Sequence, residues 1–153
     1  MKPVQLSIIC LISGIIFFVS SCQKTGCTNP AASNYDPSAK KDNGKCQIKG
    51  CTDPTAHNYN SAANTNSGCI YYGKATFYFD KNWGYGSVNV GDSVGHITQI
   101  DSNSVPTCGA TGCANFTLPV GTYPWVASGT LSLTQNGTIT VGKDSCTVQL
   151  VTQ

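Results

Sequence analysis

Two stretches near the start of this chain are copies of one another, and each opens and closes on cysteine. The first reads GCTNPAASNYDPSAKKDNGKC, from Gly26 to Cys46; the second reads GCTDPTAHNYNSAANTNSGC, from Gly50 to Cys69. They share Gly-Cys-Thr, Asn or Asp before Pro, then Ala, Asn-Tyr, Ala and a Gly ahead of the closing Cys, the second copy being one residue shorter. Such agreement marks a duplication. Apart from Ala and Tyr the copies hold almost nothing apolar, so neither can bury a core that offsets chain entropy. The simplest closure joins Cys27 to Cys46 and Cys51 to Cys69. Each bridge, closing roughly 20 residues, constrains the unfolded chain by about 3 kcal/mol. Tyr35 and Tyr59 are expected as the packing anchor of each copy, and Asn29-Pro30, Asp53-Pro54 and Asn43-Gly44 read as turns.

The pair resembles a short repeat, GCTDPTAxNYxPxAxxDDGSC, of secreted and surface proteins of Bacteroidetes and related marine bacteria. Acidic positions in that repeat raise the question of calcium, which takes six to eight oxygen ligands. Copy one keeps Asp36 and Asp42, but copy two keeps only Asp53 and carries Asn60 and Asn66 instead. The preferred reading is that Asp and Asn cap turns, with no metal and no cofactor.

From about Gly73 the text changes. Short β-rich runs alternate with turn residues: ATFYFD (75–80), SVNV (87–90), SVGHITQI (93–100), NFTL (115–118), GTYPWVA (121–127), TLSLTQ (130–135), TITV (138–141) and CTVQLV (146–151). Ala75, Phe77 and Phe79 form one face of their run and Thr76, Tyr78 and Asp80 the other; Leu131, Leu133, Ile139 and Val141 also skip alternate places. Asn136-Gly137 and Gly91-Asp92 read as two-residue hairpin turns. The expected fold is all-β: a small antiparallel Greek-key sandwich of seven or eight strands, preceded by two disulfide-closed irregular loops and an N-terminal signal segment. PTCGATGC (106–113), LPVGTY (118–123) and the last Cys-bearing strand resemble small Bacteroidetes lipoprotein domains of the prealbumin or carboxypeptidase-regulatory type, which implies the same fold and no particular activity. Cys108, Cys113 and Cys146 allow one disulfide and three pairings. Cys108 with Cys146 is preferred because it ties a long loop to the last strand, whereas Cys108 with Cys113 closes only a tight turn.

Ahead of the repeats, Lys2 precedes an apolar run from Leu6 to Val19, and Ser20 and Ser21 precede Cys22. Fourteen residues at 1.5 Å each cover about 21 Å, short of the roughly 30 Å hydrocarbon core, so a cleaved signal peptide fits better than a spanning helix. Val-Ser-Ser-Cys resembles the bacterial lipobox. The resemblance implies that Cys22 receives diacylglycerol, that residues 1–21 are removed, and that the new amine takes an acyl chain such as palmitate. Two or three chains anchor stably where one does not. The expected organisation is a signal peptide (1–21), a lipidated N-terminus (22–25), two cystine loops within 26–72 (26–46 and 50–69) and a sandwich (73–153).

Composition limits the partners. All nine cations are Lys and all seven anions are Asp, with Arg and Glu absent. Without Lys2 the balance is eight against seven, and no basic face is available for nucleic acid. Seven cysteines beyond Cys10 and Cys22 in an exported chain read as disulfides rather than metal or catalytic thiols. His57 stands where copy one has Ser33, and His96 lies within an expected strand. Gly91-Asp92-Ser93 resembles the GDS block of small esterases but lacks the later Asp-x-x-His. No catalytic residue is assigned and no enzyme activity is expected. Trp83 and Tyr85, in a loop with Asn82, Gly84 and Gly86, are the candidate ligand contacts, suited to stacking on a glycan or a peptide. Asn115 and Asn136 head N-x-T sequons, fortuitous in a bacterial product.

These residues point to an envelope lipoprotein held to the membrane by its lipid anchor, with the outer membrane favoured by Gln23 and either face open. The foremost functional expectation is a non-enzymatic binding or adhesion module on a disulfide-rich spacer, for a glycan or an envelope protein. The alternatives are a structural subunit of an outer-membrane complex and, after that, a secreted hydrolase.

Overall fold

The computed structural model describes residues 23–81, 84–99, 104–130 and 134–152. The expected signal peptide (1–21), the lipidation candidate Cys22, Trp83, Leu131 and Leu133 lie outside them. The chain divides into two compact units, one ending at Gln47 and one spanning Ile48–Gln153, so the second cystine loop belongs to the same unit as the long strands. Among the described residues every regular element is a strand, and no helix is long and apolar enough to cross a membrane.

The two cystine loops are built alike. In the first, β1 (Thr25–Gly26) pairs in parallel with β2 (Lys41–Asp42); in the second, β3 (Lys49–Gly50) pairs in parallel with β4 (Thr65–Asn66). Disulfides Cys27–Cys46 and Cys51–Cys69 close them, with Cα separations of 5.0 and 4.7 Å. The Asn of each Asn-Tyr pair straddles the closing cysteine. Asn34 donates to the Lys45 carbonyl at 2.7 Å and accepts from the Gln47 amide at 2.8 Å; Asn58 does the same with Gly68 at 2.6 Å and Ile70 at 2.7 Å. A carboxamide carries both a donor and an acceptor, which a carboxylate does not. The tyrosines are not the anchors that the sequence suggested. Tyr35 and Tyr59 are 42% and 45% exposed, while Cys27 with Ala32, and Cys51 with Ala56, fill the two interiors.

Seven longer strands form the sandwich. A four-stranded sheet has the order β10 (Thr134–Val141), β9 (Gly121–Gly129), β6 (Gly86–Val90), β7 (Ser93–Ile97), all antiparallel. The facing three-stranded sheet has the order β11 (Cys146–Val151), β5 (Tyr72–Phe79), β8 (Ala114–Pro119). Within it β5 and β8 are antiparallel, while β11 runs parallel to β5. Alternate residues from both sheets meet in one core, among them Phe77, Phe79, Phe116, Val88, Ile97 and Trp125. Phe77 takes the edge-to-face geometry that aromatic quadrupoles favour against both Phe116 and Trp125, with centroids 5.7 and 5.3 Å apart. Gly91-Asp92 makes the expected β6–β7 turn: Gly91 has φ +56°, and Val90 pairs with Ser93 across it.

The second expected turn is absent. Asn136 and Gly137 lie inside β10, paired with Val126 and Trp125, in a ladder that starts from Thr134 opposite Ser128. The reason is the indole of Trp125, which is 4% exposed and lies across Gly137; a Cβ there would come within 3.0 Å of its ring. Glycine within a strand costs about 0.5–1 kcal/mol. Burying roughly 200 Å² of indole at about 25 cal/mol/Å² contributes about 5 kcal/mol. The tertiary contact wins over the local turn code.

The second face of β5 is exposed at Lys74 but closed over at its centre. Thr76 is fully buried and Tyr78 nearly so, and the segment carrying Cys108 and Gly109 lies against the Thr76 hydroxyl. The Thr76 hydroxyl donates to Asn115 Oδ1 at 2.8 Å and accepts from the Gly109 amide at 3.0 Å. Asn115 Nδ2 in turn donates to the carbonyls of Ala110 and Cys113 at 2.9 and 3.2 Å. The preferred third disulfide is present, joining Cys108 to Cys146 with a Cα separation of 6.1 Å.

Candidate functional site

Three places gather polar chemistry, two on the second unit and one on the first. The first lies where its cystine loop meets the strands. Gly142 to Ser145 form the turn between β10 and β11, closed by Ser145 donating to the Gly142 carbonyl, with Asp144 at φ +50°. This turn carries Lys143 to the loop. Its ammonium donates to Thr55 Oγ1 at 2.8 Å, stands 3.7 Å from Asp53 Oδ2, and lies 4.2 Å from the centre of the Tyr71 ring. The Tyr71 hydroxyl donates to the same carboxylate oxygen at 2.6 Å, and the other oxygen accepts from the Thr55 amide and hydroxyl. The Tyr71 hydrogen bond, followed by those from Thr55, holds the Asp53 carboxyl well below its ordinary range. The carboxylate in turn raises Tyr71. His57, from the same loop, stacks edge-on against Tyr72 at 4.9 Å.

Beside this joint are two open clefts of about 490 and 460 Å³, both lined by Tyr72, Thr117 and Asp144. Lys74 and the Cys108–Cys146 disulfide complete one; Thr55 and His57 complete the other. The charged groups nearest the loop are engaged with one another, so the arrangement works as a latch between cystine loop and sandwich. Neither Lys143 nor the Asp53–Tyr71 pair was singled out from sequence. The signal available was the position of Tyr71: Ile70-Tyr71-Tyr72-Gly73 follows copy two as Gln47-Ile48-Lys49-Gly50 follows copy one.

The second place holds Tyr85. Its ring is 69% exposed, and its carbonyl accepts from the Thr130 amide at 3.0 Å, which pins the loop backbone beneath the ring. A cleft of about 320 Å³ runs from it past Ser87, His96, Ser128 and Thr130. Ser87 and Ser128 share a hydrogen bond of 3.0 Å between hydroxyls. Tyr85 and His96 thus line one cleft; Trp83, the expected companion of Tyr85, lies outside the described residues.

The third is the set of carboxylates in the first loop. Asp36 accepts from the Ser38 amide and hydroxyl and is 2.8 Å from the Lys24 ammonium, contacts that lower its pKa to about 2, Lys24 first. Asp42 accepts from the Gly44 amide at 3.0 Å. These are turn-capping contacts. Among the described residues no three His, Cys, Asp or Glu side chains are grouped so as to hold a metal ion.

Comparison with known protein families, with curated proteins and with solved structures returned no match to this chain.

Proposed function

We propose that this chain is an envelope lipoprotein, anchored through Cys22, whose sandwich is a non-enzymatic binding module. The observation that carries the binding role is Tyr85: a large aromatic ring held out to solvent by a pinned backbone, at the head of a cleft lined with hydroxyls and an imidazole. A ring held in place offers contact area at low entropic cost. The lipid anchor is supported by the Leu6–Val19 run ending in Val-Ser-Ser-Cys, and an oxidising compartment by three disulfides. The latch joining the second cystine loop to the sandwich makes that loop part of the module rather than a free tether.

Two measurements test this. Metabolic labelling with palmitate is expected to tag the wild-type chain and not Cys22→Ser, and intact mass is expected to match residues 22–153 plus diacylglycerol and an acyl chain. An unmodified chain that keeps its leader overturns the anchor. For the module, intact-cell crosslinking and glycan screening are expected to recover a ligand that Tyr85→Ala loses; recovery unchanged by that substitution overturns the binding role of the loop.

A further inference from the structure

The four-stranded sheet has an unusual outer face. None of the chain's nine Lys and seven Asp falls in β6, β7, β9 or β10. Exposed antiparallel strands ordinarily carry charge, which keeps them soluble and prevents edge-to-edge association. Here most outward positions are hydroxyls and carboxamides in register, with Val94, Val126, Pro124 and His96 set among them. One cross-strand row runs Thr134, Ser128, Ser87, His96. The next runs Asn136, Val126, Asn89, Val94, and beyond it Thr140 faces Thr122 with their hydroxyls 3.1 Å apart. Strand geometry spaces such groups by about 4.8 Å across the sheet and by about 6.7 Å along it. Tyr85 stands two residues before Ser87, just ahead of β6, and lines one cleft with Ser87, Ser128 and His96.

We propose that this face, with Tyr85 at its end, binds a neutral polysaccharide, which deepens and rests on the binding-module reading above. An anionic or cationic polymer would lose hydration of its charges against a face that offers no counter-charge. A protein partner would seek a central apolar anchor, and here Val94 and Val126 stand apart, separated by Asn89 in their row. A neutral polysaccharide matches both parts. Its repeated hydroxyls donate to and accept from the Ser, Thr and Asn side chains, each of which keeps bonding capacity after its internal contacts. The apolar C–H face of a sugar ring covers the exposed phenol of Tyr85.

The test uses the full processed chain in detergent, with cellulose, chitin and laminarin as neutral probes and alginate as the anionic one. Retention is expected on at least one neutral probe and not on alginate, undiminished in 1 M salt. Tyr85→Ala and Asn89→Lys are each expected to weaken it tenfold or more while leaving the melting temperature within a few degrees. Both positions are solvent-exposed, so loss of binding is separable from loss of fold. Retention on alginate alone, or abolished by salt, overturns the neutral-glycan assignment and leaves the binding module standing. So does a protein ligand lost in Tyr85→Ala, or a dimer that Asn89→Lys dissociates in sedimentation. Retention on no probe, with no ligand recovered from cells either, overturns both.

Discussion

The Tyr71 hydroxyl donates to Asp53 at 2.6 Å, and that bond joins a cystine loop to the strand that begins one residue later. Lys143, from the far end of the sandwich sequence, closes the same contact from above the Tyr71 ring. A module that looks self-contained in the text is therefore bound to its neighbour by side chains.

The latch carries a pH signature. Asp53 is held below its ordinary range, so it stabilises the fold above its unfolded value of about 4 and loses that contribution as pH falls toward the folded value. The denaturation midpoint of the wild type is expected to drop more steeply below pH 4 than that of Asp53→Asn. Parallel curves for the two would rule the latch out as a source of acid sensitivity.

Trp125 and Gly137 are expected to behave as a pair. Trp125→Ala should cost about 3–5 kcal/mol, as truncation of a buried aromatic does. Trp125→Phe should cost less than half of that, because the indole Nε1 has no hydrogen-bond partner among the described residues. Gly137→Val should cost about 1–3 kcal/mol by overpacking against the ring. Urea unfolding measures all three; a neutral Gly137→Val would mean that β10 does not pass beneath the indole.

Thr76 is the polar pin beneath the Cys108 segment. Thr76→Val keeps the shape but leaves the Gly109 amide and the Asn115 carbonyl oxygen without their partner, at about 1–3 kcal/mol. Thr76→Ser keeps the hydroxyl and should recover most of it. Equal losses in Val and Ser would assign the effect to packing instead.

The third disulfide closes a separation of 38 residues, which the chain-entropy account values at about 4 kcal/mol. Peptide mapping of the oxidised chain is expected to join Cys108 to Cys146. Cys108→Ser/Cys146→Ser should unfold at markedly lower urea, whereas Cys113→Ser should leave the disulfide map intact. A Cys108–Cys113 peptide would contradict the arrangement.

Local pattern alone was enough for β5 to β9 and β11, the Gly91-Asp92 turn and the closure of the two loops, but not for β10, which replaces two expected strands with one. Period-two alternation, a glycine suited to positive φ, and a duplicated Cys spacing are each decided within a few residues or by direct comparison of two copies. Tertiary structure decided the rest. It set β11 parallel to β5, buried Thr76 under the Cys108 segment, ran Asn136-Gly137 straight through a strand, and brought Lys143 to Asp53. It also lined up the uncharged rows beside Tyr85, since the two longer rows draw on four strands whose order follows from the packing of the core. Those outcomes depend on which distant residues become neighbours, and the free energy that selects neighbours is the burial of Trp125 and the phenylalanines between two sheets, a quantity no single segment carries.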